Sequence, residues 1–541
     1  MHLAYGPSAT KIRWTARRRS RGALAVLAPV AVVAALALLS TGCSSARTAA
    51  PAIRPAQRRS VSARPAPPLP VAENQRRGTR DWRIRHRGPQ NAIEGFTDKV
   101  SVLPGRRFRL FVSTTARRWR VEAFRMGWYH GAQARRVWES DWMPGRRQPG
   151  PRVARRTNTV TAPWRAPRTV STAGWPTGAY LLRLDSSSGA QRYVPITVRS
   201  PSTAGKMVLL GDVTTWQAYN RWGGYDLYEG PGGFADRSRA VSFNRPYEHN
   251  SRDSGAAWFL SYDQSAIALA EKIGVRLAYE TDVDIDQNPR LLAGARAVIS
   301  LGHDEYYSAR MRVRLTAARS AGTNIAFLGA NAVFRHIRFA SSRFGRDRVV
   351  ICYKVATEDP LYGAHNRDTT QNWREPPFPR PESVLTGVFY QCNPVSARYV
   401  VYDPRSWIFA GTQARKGESF AGLVGPEYDR VDLAVPVPRP IDVLAHSPVT
   451  CHGVVDHSDS VYYTVRSGAG VFASGTMRWV CAMRGTACGH GVTNAARRFV
   501  DTATINVLRA FAAGPAGLTH PARGNLARVK PAGATAVSGP D

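Results

Sequence analysis

Residues 297–334 read AVISLGHDEYYSARMRVRLTAARSAGTNIAFLGANAVF. Ala297–Leu301 is a short, wholly apolar run apart from Ser300, the pattern of a strand buried on both faces. Ala309–Ala321 follows as a helix, and Asn324–Leu328 is a second buried strand. Working back from it, Met207–Leu210 and Arg276–Tyr279 read as strands. Between them, Ser265–Ile273 reads as a helix with Ile267, Leu269, Ala270 and Ile273 apolar. This alternation predicts an α/β layer over residues 201–515 with a mainly parallel sheet. In such sheets the working residues gather at the carboxyl ends of strands. Three segments stand there: TTWQAYNRWGGYDLY (214–228), GHDEYYS (302–308) and GANAVF (329–334).

Residues 91–200 read differently. Val100–Leu103, Arg107–Ser113, Arg118–Arg125, Ala179–Leu184 and Tyr193–Val198 are short strand-like runs, punctuated by Pro104-Gly105 and Pro176-Thr177-Gly178. Strands at that spacing predict an all-β, immunoglobulin-like sandwich. Trp119, Trp128 and Tyr129 offer either a sugar-binding platform or core, and core is the commoner fate of such rings.

The N-terminus predicts export. Six basic residues and no acid precede Ala23–Leu39, an apolar run broken only by Pro29, and Gly42-Cys43 closes it. That is the layout of a signal peptide over residues 1–43 with a lipobox-like end. Ser40 stands where leucine is usual, three before the cysteine. Cys43 is the expected lipid attachment, placing the body outside the cytoplasm at the membrane's outer face, or secreted. Residues 44–90 read as a Pro/Ala/Arg-rich linker and 516–541 as a flexible tail.

The formal charge of +37 resembles a nucleic-acid signal. Only seven of the 75 basic residues are lysine, an arginine bias that points to a GC-rich, actinobacterial genome. No reader motif accompanies the charge, so nucleic acid is excluded as a partner. A basic surface facing anionic lipid or wall polymer remains. Beyond Cys43 there are five cysteines, which an oxidising compartment allows to pair. Cys481–Cys488 is the expected disulfide and Cys352–Cys392 the second option, leaving Cys451 over. No CxxC pair supports zinc.

His303 and Glu305 read either as metal ligands or an acid/base pair, or as a turn capping the next helix. Tyr219 and Tyr228 alone read as core tyrosines. Six stretches in order add to this: 214–228, VSFNRPY (241–247), YETDVDID (279–286), LGHDEYYS (301–308), FLGANAVFRHIRF (327–339) and GAGVFASGTMRW (468–479). Together they resemble the C-terminal domain of the N,N-dimethylformamidase beta (large) subunit family. The resemblance covers roughly residues 90–515. It implies a glutamine-amidotransferase-like (flavodoxin-like) core whose usual nucleophile turn, here Gly329-Ala330-Asn331, lacks Cys, Ser and Thr. It further implies a mononuclear iron held by Tyr219, Tyr228 and Glu305, with Tyr225 the substitute for Tyr228. His303, Asn331 and Glu427 are the implied catalytic residues around it.

Phenolate and carboxylate are hard anionic donors that suit a ferric ion. The reading is then a hydrolase of a C–N bond in a small amide, and the family's small subunit cannot be read from one chain. The alternative is a non-catalytic envelope protein without a cofactor, binding wall glycan through exposed aromatics. A second copy of the chain is a further partner the reading admits.

Overall fold

The computed structural model describes residues 71–249 and 254–530. The leader, Cys43 with its expected lipid, and the linker up to residue 70 lie outside these residues, as does the tail from 531.

Seven strands form the central sheet, in the order Leu277–Thr281, Met207–Gly211, Ala297–Ser300, Asn324–Phe327, Gly470–Ala473, Val454–Thr464 and Ile441–Cys451. The first five are parallel. The last two join antiparallel as a long hairpin. Side chains alternate with a period of two, so each strand feeds two layers. Met207 and Leu209 pack with Ile267 of the helix Gln264–Lys272 and Val507 of the helix Asn494–Ala513. Val208 and Leu210 pack on the other face with Met311 and Leu315 of the helix Ala309–Ser320. Burial on both faces explains why these strands are apolar runs rather than alternations. Met207–Gly211, the first strand of this sheet in chain order, has its successors on opposite sides. The crossovers therefore diverge beside it and open a crevice at the carboxyl ends of Met207–Gly211 and Ala297–Ser300.

Ahead of this layer stands a two-sheet sandwich. One sheet contains Ile93–Thr97, Arg107–Thr114 and Arg168–Ser171. The other runs Ser101–Val102, Gln191–Val198, Gly178–Ser186, Arg118–Met126 and Ala134–Glu139. Leu110, Val121, Leu182 and Ile196 fill the space between. Trp119 and Tyr129 are buried, and Trp128 is half-buried under the Lys272 ammonium. These three rings make no exposed platform.

The module edges differ from expectation. Residues 71–90 are not linker: Asn74 Oδ1 accepts from Tyr129 N at 2.9 Å, and Trp82 is buried with Nε1 donating to Ala132 O. The tail is docked up to residue 530, where Asn525 bonds both ways with the Val443 backbone. The sandwich and the α/β layer also share core: Phe124 and Leu181 belong to the cluster of Met207 and Phe259. Arg125 of the sandwich meets Glu271 at 2.6 Å with both side chains essentially buried. The described residues, 71–249 and 254–530, form one compact unit, so the boundary expected at 200 is not a break in packing.

Cys481–Cys488 forms as expected. The second bridge is Cys392–Cys451, not Cys352–Cys392. Cys352 is fully buried behind the strand Gly345–Ile351 and stays free. Cys392 and Cys451 end strands whose Cα atoms there lie 6.5 Å apart, within disulfide reach.

Candidate functional site

Tyr219 caps the short helix Val213–Ala218 that leaves the first strand. That helix is pinned by Asp282, whose carboxylate accepts from Thr214 N at 2.9 Å and from the Thr214 hydroxyl. Tyr228 sits on a turn held by Asp226 Oδ1, which accepts from Tyr228 N and Glu229 N at 2.7 Å each. Glu305 follows the Ala297–Ser300 strand and donates its N–H to Thr215 Oγ1 at 3.0 Å.

Two glycines allow the strand ends to meet. Gly302 has φ +51°, and a Cβ there would lie 2.3 Å from Tyr262 Cβ. A Cβ on Gly329 would lie 1.5 Å from Gly302 O. Only glycine fits both places, and their contact brings His303 and Asn331 to one crevice. The turn at 329–334 is tied down by Val333 N to Asp304 O and Phe334 N to Glu305 O, each 3.0 Å. Asn331 and Val333 are both left-handed there, at φ +59°. Asparagine tolerates that region, but for branched valine it is strained, and the two bonds hold it.

Three oxygen-bearing side chains converge. Tyr219 OH lies 2.7 Å from Tyr228 OH and 2.7 Å from Glu305 Oε2. Tyr228 OH lies 2.9 and 3.0 Å from the two Glu305 oxygens. His303 Nε2 stands 3.4 Å from Tyr219 OH and 3.5 Å from Glu305 Oε2. Its Nδ1 faces Ala330 O at 3.3 Å and Glu427 Oε2 at 3.8 Å. Asn331 N donates to Asp429 Oδ1 at 2.8 Å, while Asn331 Oδ1 and Glu427 Oε2 are buried without a hydrogen-bond partner. Tyr225 is elsewhere, packed with the Phe96, Trp164 and Trp222 cluster, so it does not substitute for Tyr228.

Two cations and an aromatic wall surround this centre, and sequence reasoning missed them. Arg335 Nε is 3.2 Å from Glu305 Oε1. Lys354 Nζ donates to Tyr306 OH at 2.8 Å and sits 3.2 Å above the Tyr228 ring. Tyr306 OH in turn donates to Tyr228 OH at 2.8 Å. Trp258 stacks on His303 at 5.7 Å and lies 4.6 Å from the Tyr219 ring. Tyr306 adjoins Glu305 in the quoted motif and was findable. Lys354 arrives from a distant hairpin with no local signal.

Burial pushes both Tyr219 and Tyr228 well above the usual phenol range, and the Glu305 charge adds to it. Burial alone would raise Glu305 too, but His303, Lys354 and Arg335 outweigh it and hold the carboxylate ionised. Burial opposes a charged His303, yet Glu427 and Glu305 prevail and lift it to about 9. Burial raises Glu427, against the pull of His303. The crevice thus holds a fixed anion, two phenols that keep their protons, and a histidine between two carboxyls.

The family model for N,N-dimethylformamidase beta subunit-like, C-terminal, matches residues 120–494. No curated protein matches the chain. Among solved structures, a Paenibacillus sp. cycloisomaltooligosaccharide glucanotransferase complexed with cycloisomaltoheptaose is similar at 12% identity, with a TM-score of 0.14. That alignment covers 24% of this chain and 17% of the glucanotransferase, too little to bear on fold or function. The family match spans more than half of the chain and contains Tyr219, Tyr228, His303, Glu305, Asn331 and Glu427, and the chain belongs to the N,N-dimethylformamidase beta subunit-like family by its C-terminal domain.

Proposed function

We propose that this protein is a metal-dependent hydrolase of the C–N bond of a small amide, exported and anchored through Cys43. The observation that carries the reading is the convergence of Tyr219, Tyr228 and Glu305. Their oxygens stand 2.7–3.0 Å apart. Two donors about 2 Å from one ion and at right angles are separated by roughly 3 Å. One carboxylate and two buried phenols, once the phenols give up their protons on binding a cation, would form the hard anionic set that suits a single iron, and no soft donor joins them. When bound, such an ion polarises an amide carbonyl and acidifies a water.

The chain's own residues then divide the work. Tyr306 and Lys354 fix the Tyr228 hydroxyl, and Arg335 fixes the Glu305 carboxylate. Asn331 Oδ1, buried and unpartnered, is placed to accept an amide N–H. Glu427 Oε2, 3.8 Å from His303 Nδ1, is the acceptor for a proton from an attacking water in this reading. His303, between Glu305 and Glu427, holds a proton for the leaving nitrogen. The surrounding fold in this reading is the glutamine-amidotransferase-like core behind an immunoglobulin-like module, and its covalent route is closed because residues 329–331 carry no nucleophile. The glycan-binding alternative needs a row of exposed aromatics, and burial of Trp119 and Tyr129 removes its best members.

The test is turnover of formamide and acetamide by iron-loaded protein. His303→Ala and Asn331→Ala are expected to keep metal and fold while losing at least about tenfold in rate. Loss of metal in either variant, or unchanged turnover in both, contradicts these roles.

A further inference from the structure

One end of the sandwich gathers a concentrated cationic surface that the amidase reading does not use. Backbone bonds bring its parts together. Thr114 N donates to Arg146 O at 2.9 Å, and Gly145 N donates to Arg117 O at 2.7 Å. Ser187 N donates to Arg118 O at 2.8 Å, while Gln191 N donates to His86 O at 2.8 Å across the same loop. Gln148 Nε2 donates to Arg165 O at 2.9 Å. Arg87, Arg117, Arg118, Arg146, Arg147 and Arg165 are all exposed. Among the described residues, none of these six guanidiniums makes an ion pair or a hydrogen bond. Acids at the edge of this surface are taken up by neighbouring arginines, Asp81 by Arg85 at 2.5 Å, Glu139 by Arg136 at 2.8 Å and Glu122 by Arg120 at 2.8 Å, and the six guanidiniums stay unpaired.

The patch runs into a cleft of about 250 Å³ that Arg147 borders. Trp164 and Trp222 line the cleft, both buried. Gln90 and Asn91 stand on its rim, exposed, with side chains that bond to nothing among the described residues. The one acid in the cleft, Glu94, is occupied by Trp222 Nε1 at 2.9 Å and Arg192 at 3.8 Å.

We infer that this end binds a phosphodiester polymer whose units carry free hydroxyls, a polyol-phosphate chain of the cell envelope. Unpaired guanidiniums give the charge and the fork geometry for successive phosphates. The free amides of Gln90 and Asn91 offer donors and acceptors for hydroxyls beside them. A nucleic acid fits less well, since base stacking needs an open aromatic face. Trp164 and Trp222 are buried, and the exposed Trp142 lies beneath the guanidiniums of Arg118 and Arg120. A flat bilayer would meet the arginines but leave the cleft and its amides unused.

The test is titration of the full chain, in neutral detergent, with poly(glycerol phosphate). Inorganic polyphosphate, a single-stranded oligonucleotide and phosphatidylglycerol vesicles are the comparisons, at two salt concentrations. Poly(glycerol phosphate) is expected to bind tightest, more weakly at higher salt. Arg146→Glu with Arg147→Glu is expected to weaken it at least about tenfold, consistent with loss of phosphate contacts. Gln90→Ala with Asn91→Ala is expected to weaken the polyol polymer several-fold and leave polyphosphate unchanged, a split that misfolding cannot produce. Stronger binding of the oligonucleotide or of the vesicles overturns the inference, as does indifference of the polymer to the charge reversal.

Discussion

Glu305 is the residue on which the site turns. It is buried, it touches both phenols, and three cationic groups keep it charged. Its ionisation is therefore supplied by the fold. Glu280, two strands away, shows the opposite outcome. It is buried in the strand Leu277–Thr281, and burial, with Asp284 adding to it, lifts it to about 9. The folded value lies above the unfolded one. Its contribution to stability is thus full below about pH 4.5 and is lost as pH rises towards 9. Keeping it neutral at pH 7 costs about 3 kcal/mol. Glu280→Gln is expected to raise Tm at pH 8 and to change it little at pH 4, read by differential scanning fluorimetry. An equal shift at both pH values contradicts this. At this scale the sequence was legible where a residue type carries its own chemistry, as in His303 and Glu305. It was not legible for Tyr225 against Tyr228, three residues apart on one loop, because only the turn at Asp226 decides which phenol reaches the crevice.

Secondary elements were legible in proportion to how completely each is buried. Ala297–Ser300 and Asn324–Phe327 are covered on both faces and announce themselves as apolar runs. Arg168–Ser171 buries only Val170 and carries no pattern to read. The second cysteine pair was missed because the fold, not sequence spacing, brings Cys392 to Cys451, 59 residues apart. Two elements also set the site's tolerance to change. Gly329→Ala places a methyl against the Gly302 carbonyl and must part the two strand ends. It is expected to abolish turnover while costing a few kcal/mol of stability, on the order seen for overpacking. Wild-type activity in that variant contradicts the contact. At the junction of the modules, Glu271→Ala leaves Arg125 buried without its partner. Denaturant titration is expected to show about 3–5 kcal/mol of destabilisation. A loss under 1 kcal/mol means that the pair does not bind the modules together.

Seen whole, the molecule joins a sandwich and a parallel layer through one shared core, with Phe124 and Leu181 packed in the same cluster as Met207. Two independently melting domains are therefore not expected. Calorimetry of the full chain is expected to give one main transition, with tryptophans of both modules reporting the same midpoint, and two well-separated transitions contradict the shared core. The disulfides make a second whole-chain statement. Beyond residue 70, alkylation after unfolding without reductant is expected to label Cys352 alone, and alkylation of the native protein to label none of the five cysteines there. The central claim is that Tyr219, Tyr228 and Glu305 hold a metal, and metal analysis of the purified full chain alongside its visible spectrum tests it most directly. About one iron per chain is expected, with a tyrosinate-to-iron colour, both lost in Glu305→Ala while its circular dichroism stays that of wild type. A colourless protein that stays metal-free after incubation with iron, zinc or manganese contradicts it.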